Sequence, residues 1–487
     1  MNRRYLLPLI LFITISMVSC QKKVTFTSSS TKALTYFQQA DDLFYKVYYD
    51  NALTLYKKSF AADTSFALAA FRIAQTLNIL GKPDSSVAYL KKAGRLANSA
   101  SDFERLLINR YQADFSGDKD LADLTLDTLI RKFPDNINVQ ILTANRKEAV
   151  YDFDGARRIY LNILKQNPNY VLAYNYIGYL YAKKGLFKEA LKYFNLYREY
   201  APEQLNPYDS MAEIFIATGR YYEAIRILEP LFKTHQAELA KQNYLGSLIY
   251  LRLANAYLQL GQYQKALSII TEALRTYQDE NIRLNLYLNR FLIHYTLKQP
   301  VELINDKNQI KSVSDDKYLI LFVEGLTHLT AGQSSLAMKS NRQLKESSTE
   351  ASQNYQKRIL LYSAFLSGEI NLQSEQFDQA AENFRMAAAY NDSLNNVYYR
   401  LMRAVAEGKG GHTATALKEL GAILSCNPNH APALIYSAQF YYDSDHPAEA
   451  RFYLNYFLDV WKNADADSPL MQVARKLSTK LSGQLIK

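Results

Sequence analysis

The side chains that could do chemistry are scattered along this chain. Six histidines, His235, His294, His328, His412, His430 and His446, are the first candidates for metal binding or proton transfer. None forms a His-Glu-x-x-His pair, the spacing that sets two imidazoles and a base on one helix face for zinc hydrolysis. Gly408-Lys409-Gly410-Gly411 has enough glycine to cradle a phosphate but lacks the Gly-Lys-Ser/Thr ending, so it reads as a turn between helices. Gly332-Gln333-Ser334-Ser335 also reads as a turn, because a serine on a nucleophile elbow needs a strand before it. The carboxylates are abundant, yet no spacing singles out a pair. Cys20 and Cys426 are the only cysteines, which excludes a disulfide framework or a cysteine-based metal site. Cys426 precedes Asn427-Pro428 with no base or cation beside it in sequence, and is expected to be a small buried hydrophobe. The expectation is no catalysis, no metal and no cofactor.

Cys20 has a more specific context. Arg3 and Arg4 precede an apolar stretch from Tyr5 to Val18, shorter than the roughly 20 residues a membrane-spanning helix needs, which is the layout of a secretory signal. Met17-Val18-Ser19-Cys20 closes it and resembles the lipobox of bacterial lipoproteins, with Met17 where leucine is usual. The resemblance implies that residues 1–19 are removed and that Cys20 is acylated as the new N-terminus. Two or more acyl chains, at about 0.8 kcal/mol per buried methylene, attach a protein stably to a bilayer. Gln21 to Ser30 is polar, so residues 20–32 are expected to form a lipidated tether. Gln21 is not the aspartate that retains many such proteins at the inner membrane, and no acidic tract follows it. An outer-membrane anchor facing the periplasm is the implied destination.

The elements that must position everything else are helices. In 487 residues there are 17 glycines and 12 prolines, a scarcity of helix breakers, while hydrophobic residues (48%) are numerous enough for a large core. Removing Arg3 and Arg4 with the leader takes the formal charge from +10 to +8, and Lys and Arg form no dense run, so nucleic acid is not an expected partner.

The clearest pattern spans Tyr170 to Pro202. Tyr174, Ile177, Gly178 and Tyr181 recur at helical spacing before Gly185, and Ala190, Phe194 and Tyr197 recur after it. The next copy carries Tyr208, Met211, Ala212, Phe215, Gly219, Tyr221, Ala224, Leu228 and Leu231 in step. A third carries Tyr250, Leu253, Ala254, Tyr257, Gly261, Tyr263, Ala266, Ile270 and Ala273. Weaker copies run outward through Ala40, Ala52 and Tyr56 on one side and Ala438, Ala450 and Leu454 on the other.

This spacing resembles the tetratricopeptide repeat, a helix-turn-helix unit of about 34 residues. The resemblance implies an all-α, right-handed α-solenoid of 11–12 hairpins. Residues 33–275 read as an N-terminal array, 276–317 as an irregular joint or degenerate repeat, 318–463 as a C-terminal array and 464–487 as a cap, so no segment remains for a separate enzymatic domain. In such repeats the first helix of each hairpin lines the concave face. That places Asn145, Asn175, Tyr179, Asp209, Glu213, Arg252 and Asn255 in a groove, where asparagines could hold an extended peptide by its backbone. A subclass that clamps C-terminal carboxylates needs a lysine where Ile141 stands, although Asn145 fits, so that specificity is not implied.

Together these features imply a lipid-anchored scaffold or adaptor that binds envelope proteins or extended peptides, touching the membrane through its anchor only. The alternative is a glycan- or nutrient-binding lipoprotein of the outer membrane, since 39 tyrosines and 23 phenylalanines could stack on sugars. Against it, most of these aromatics fall at packing positions and Trp461 is the only tryptophan.

Overall fold

The structure is a computed structural model that describes residues 26–168, 170–351, 353–391 and 397–483. The signal segment 1–19 and the lipidation residue Cys20 lie outside the described residues. Every regular element among the described residues is a helix, and twelve consecutive helical hairpins run from Thr31 to Val460. They build an all-α tetratricopeptide-type solenoid.

One backbone feature recurs in every hairpin. Between its two helices lies a single residue with positive φ: Val47, Gly81, Gly117, Tyr151, Gly185, Gly219, Gly261, Lys298, Gly332, Glu375, Gly411 and Asp445. Seven are glycines, for which the left-handed region carries no Cβ penalty. Counting from this residue, positions five, nine and twelve later face the core of nearly every hairpin, as in Ala190, Phe194 and Tyr197 after Gly185. Seven positions earlier, on the first helix, stands a small residue in ten of the twelve: Ala40, Ala74, Ala144, Gly178, Ala212, Ala254, Gly325, Gly368, Ala404 and Ala438. Small residues let the two backbones close, and a Cβ on Gly178 or Gly368 would run into the ring of Phe194 or Phe384.

Residues 276–317, read from the sequence as a joint or degenerate repeat, hold a hairpin of helices Glu280–Thr296 and Pro300–Val313. It is the one whose pattern breaks in both helices: Phe291 replaces the small residue and Leu303 replaces the alanine at position five, both fully buried. Asp306, also fully buried, accepts from Arg290 Nε at 2.7 Å and contacts His294 Nδ1 at 2.7 Å. A salt-bridged carboxylate thus stands beside the bulky pair in the interior.

Two further expectations are corrected. Residues 26–30 are packed, not a free tether: the Phe26 ring lies 5.7 Å from that of Phe37 and 6.0 Å from that of Phe66, and Thr27 donates to buried Glu104 through its N–H (2.8 Å) and Oγ1 (2.7 Å). Cys426 is exposed, because it ends helix Thr413–Cys426 off the stripe of Ala416, Leu420 and Ile423 that turns inward. The final helix, Pro469–Gly483, lies within residues 464–487.

The described chain divides into two compact units, one of residues 26–38, 55–78 and 82–170, the other of 39–54, 79–81 and 171–483. Within the second, residues about six repeats apart touch. Asn429 Nδ2 donates to the Gly219 carbonyl (2.9 Å), Asn427 Nδ2 to Tyr221 OH (2.9 Å), and Trp461 Nε1 to the Gln259 carbonyl (2.9 Å). Asp465 accepts from Gln264 N–H (2.9 Å) while its own N–H reaches the Gly261 carbonyl (3.0 Å). Asn281 Nδ2 donates to the Gly81 carbonyl (3.2 Å) and Tyr244 N–H to Asp50 (3.1 Å) in the same manner. Among the described residues no helix is long and apolar enough to cross a membrane.

Candidate functional site

Five of the seven expected groove residues meet in one network in the second unit. They stand on the first helices of three successive hairpins, Leu172–Lys183, Asn206–Ala217 and Asn243–Gln259. Ser210 Oγ donates to Asn175 Oδ1 at 2.8 Å, and Tyr179 OH donates to Glu213 Oε2 at 2.9 Å and lies 3.3 Å from Ser210 Oγ. Arg252 then spans two carboxylates, with Nε 3.1 Å from Asp209 and Nη2 3.0 Å from Glu213. Each link joins neighbouring repeats, so the network fixes the angle between hairpins as well as presenting polarity.

Its electrostatics follow from burial. Asn175 and Asp209 are buried, and desolvation raises the Asp209 carboxyl pKa even though Arg252 beside it favours the charge. Burial works against the Arg252 cation, but Asp209 and Glu213 outweigh it and hold the guanidinium pKa above its usual value. Burial, reinforced by Glu213 and Asp209, pushes the Tyr179 hydroxyl well up, so it stays a neutral donor. Asn175 spends its carbonyl on Ser210, and its amide NH2 makes no hydrogen bond among the described residues. That amide is the kind of donor a peptide carbonyl could use.

The other two residues stand apart from this network. Asn255 lies one turn beyond Arg252 and accepts from Gln259 at 3.2 Å. Asn145 belongs to the first unit, where it is exposed and accepts from Tyr160 OH at 3.2 Å.

The sequence reading missed a second polar position. Glu369 lies six residues before the left-handed Glu375, in the register that Asn145, Tyr179, Glu213 and Asn255 occupy in their own hairpins. Tyr295 OH, two hairpins earlier, donates to Glu369 Oε2 at 2.6 Å, while Oε1 is buried without a partner. The adjacent Phe365 ring lies 5.7 Å from those of Phe322, Tyr398 and Tyr399. The register alone could have drawn attention to Glu369, but the rings near it come from the hairpins before and after its own.

Tetratricopeptide-repeat family profiles match residues 143–204 and 203–279, the three hairpins of the network and the one before them. The chain therefore carries tetratricopeptide repeats. It is 30% identical over 148 residues to ER membrane protein complex subunit 2-A of Xenopus laevis, covering 29% of this chain and 50% of that one, and likewise 30% identical to the same complex's subunit 2 of Xenopus tropicalis. The chain thus spans about half the length of the curated relatives it matches. The crystal structure of yeast Tom70 aligns at a TM-score of 0.39 and 14% identity over 93% of this chain and 96% of that one. A tetratricopeptide repeat protein from Parabacteroides merdae aligns at 0.32 and 14% over 56% and 98%.

Proposed function

We propose that this chain is a scaffold of the bacterial cell envelope, anchored by lipid at Cys20, that holds partner proteins along the first-helix face of its hairpins. The observation that carries the reading is the unbroken series of twelve hairpins between Thr31 and Val460, which offers a long repeated surface and no separate catalytic fold among the described residues. The Asn175–Tyr179–Asp209–Glu213–Arg252 network supplies a polar stretch of that surface, with the Asn175 amide uncommitted for a peptide carbonyl. The partial Xenopus relatives are named as subunits of a membrane protein complex, which accords with a role in an assembly. The anchor rests on Met17-Val18-Ser19-Cys20 behind its short apolar segment, and Gln21 favours the outer membrane and its periplasmic face.

The test is crosslinking in native cells followed by mass spectrometry. A defined envelope complex recovered with the chain supports the scaffold, while recovery of no protein partner overturns it and returns weight to glycan binding. The anchor is tested separately: Cys20→Ala is expected to move the chain from the membrane fraction to the soluble fraction, and continued tight membrane association would refute lipidation.

A further inference from the structure

The hairpin that breaks the repeat pattern also borders a cleft. The cleft holds about 450 Å³, lies within the second unit, and is lined by helices Tyr263–Thr276, Glu280–Thr296 and Pro300–Val313, with buried Leu274 and Tyr287 at its base. Its charged lining is of one sign: Arg275 and Arg290, with no aspartate or glutamate. Arg275 is exposed and its guanidinium has no partner among the described residues.

Arg290 is held in place before any ligand arrives. The side-on edge of its guanidinium, Nε and Nη2, sits on Asp306 Oδ1 at 2.7 and 2.6 Å, and the group lies over the Tyr287 ring, 5.2 Å from the centroid. The Asp306 side chain is 1% exposed and that of Arg290 is 20% exposed, so the carboxylate stays behind while the arginine reaches the cleft. The end-on edge, Nη1 with the second Nη2 proton, makes no hydrogen bond among the described residues. Two parallel N–H groups are the fork that a carboxylate accepts in bidentate fashion. A third guanidinium, Arg283, donates to the Leu274 carbonyl (3.0 Å) and to Tyr287 OH (2.5 Å), which adds positive charge at the base. The buried Asp306 thereby gives a preordered anion site, because binding need not freeze a free arginine.

Helix Pro300–Val313 brings a different chemistry. Asn305, Asn308 and Gln309 line the cleft at the i, i+3, i+4 spacing of one helix face, all exposed and with no side-chain hydrogen bond among the described residues. Each amide donates and accepts at once, as a peptide backbone does. A small anion would engage the arginines and leave the amide oxygens idle, whereas a peptide that carries a carboxylate uses both.

We infer that this cleft binds an acidic segment of a partner polypeptide, with an aspartate or glutamate carboxylate on Arg275 and Arg290 and the backbone along Asn305, Asn308 and Gln309. The inference rests on the scaffold reading and adds to it a contact surface outside the Asn175–Arg252 network, with a stated chemical preference.

The experiment uses the full chain and fluorescence anisotropy, with a fluorescein-labelled octapeptide of alternating glutamate and serine and its glutamine–serine counterpart. The expected result is that the glutamate peptide binds at least about tenfold more tightly than the glutamine peptide. Arg275→Gln removes an exposed cation and Asn308→Asp sets a like charge in the cleft; each is expected to weaken binding of the glutamate peptide at least about tenfold without disturbing the core. Lys188→Gln, an exposed position on helix Phe187–Tyr200, makes the same charge change as Arg275→Gln and is expected to leave the affinity within about twofold. Equal binding of the two peptides, an equal loss in Lys188→Gln, or no binding of the glutamate peptide at millimolar concentration would each overturn the site. Inorganic phosphate that displaces the peptide at equal concentration would overturn the peptide assignment in favour of a small anion. Crosslinking separates the two readings: partners captured equally by the wild type and Arg275→Gln sink this cleft alone, whereas capture of none sinks the scaffold.

Discussion

At the scale of single residues, the chain carries two buried titratable groups whose effects on stability oppose one another. His430 caps helix Ala431–Asp443, its Nδ1 accepting from Ala433 N–H at 3.2 Å, and burial lowers its pKa to about 4. Between about 4 and the usual histidine value of 6.5 the unfolded chain binds the proton that the folded chain refuses, so stability rises with pH through that window. Glu369 does the reverse: its folded pKa of about 7 lies above the unfolded 4.5, so the folded chain holds the extra proton and stability falls as pH climbs from 4.5 to 7. The two slopes nearly cancel. His430→Asn, which keeps a cap without titrating, is expected to unmask the falling slope, and Glu369→Gln the rising one, each amounting to roughly 3 kcal/mol or less across its window. Denaturant melts at pH 4.5, 6 and 8 measure both, and parallel wild-type and variant curves would contradict the assignments. At pH 8 Glu369→Gln is expected to be the more stable protein.

At the scale of the hairpin, a single left-handed residue sets the register, and five of the twelve are not glycine. Tyr151 is the cleanest case, with φ of 61° and a side chain that is mostly exposed, so little packing is lost on truncation. Tyr151→Gly is expected to stabilise the first unit by about 1 kcal/mol, read as a rise in its melting midpoint, because the Cβ strain of the left-handed region disappears. An unchanged or lower midpoint would mean that the strain is absorbed elsewhere. The same register decides how much was legible beforehand. Small residues such as Gly178, Ala212 and Ala254, with Ala190, Ala224 and Ala266 opposite, announce close helix pairs from sequence alone. The hairpin around Lys298 stayed hidden because Phe291 and Leu303 fill those places and Asp306 draws in Arg290 and His294. The repeat register made these first-helix positions legible, but their pairing was not. Asp209 and Arg252 lie 43 residues apart and meet only when hairpins stack. Glu369 was harder still, since one acidic residue among 47 has no local mark and its surroundings come from other hairpins.

At the scale of the whole molecule, repeat arrays are usually held by nearest neighbours, so their ends fray independently. Here the second unit adds contacts between residues about 200 positions apart, centred on Trp461, which is 2% exposed and packs near Tyr263 with ring centroids 6.2 Å apart. Trp461→Ala is expected to cost about 3–5 kcal/mol and to uncouple the last hairpins. Native-state hydrogen exchange reads this directly: amides of Ala431–Asp443 and Pro447–Val460 should open at lower free energy than those of Tyr263–Thr276 in the variant, and together with them in the wild type. Coincident exchange in both proteins would show that the long-range contacts carry no coupling.

Those contacts also impose a schedule on biogenesis. A chain delivered N-terminus first presents Gly219, Tyr221 and Gly261 long before Asn427, Asn429 and Trp461 exist to cover them. At roughly 5–20 residues per second, 200 residues take about 10–40 s to appear. For that interval the half-built array displays an unfinished seam, open to any other surface that offers an asparagine amide or an indole. The order in which the chain emerges, as well as its sequence, therefore determines when this protein becomes safe from its own unmade contacts.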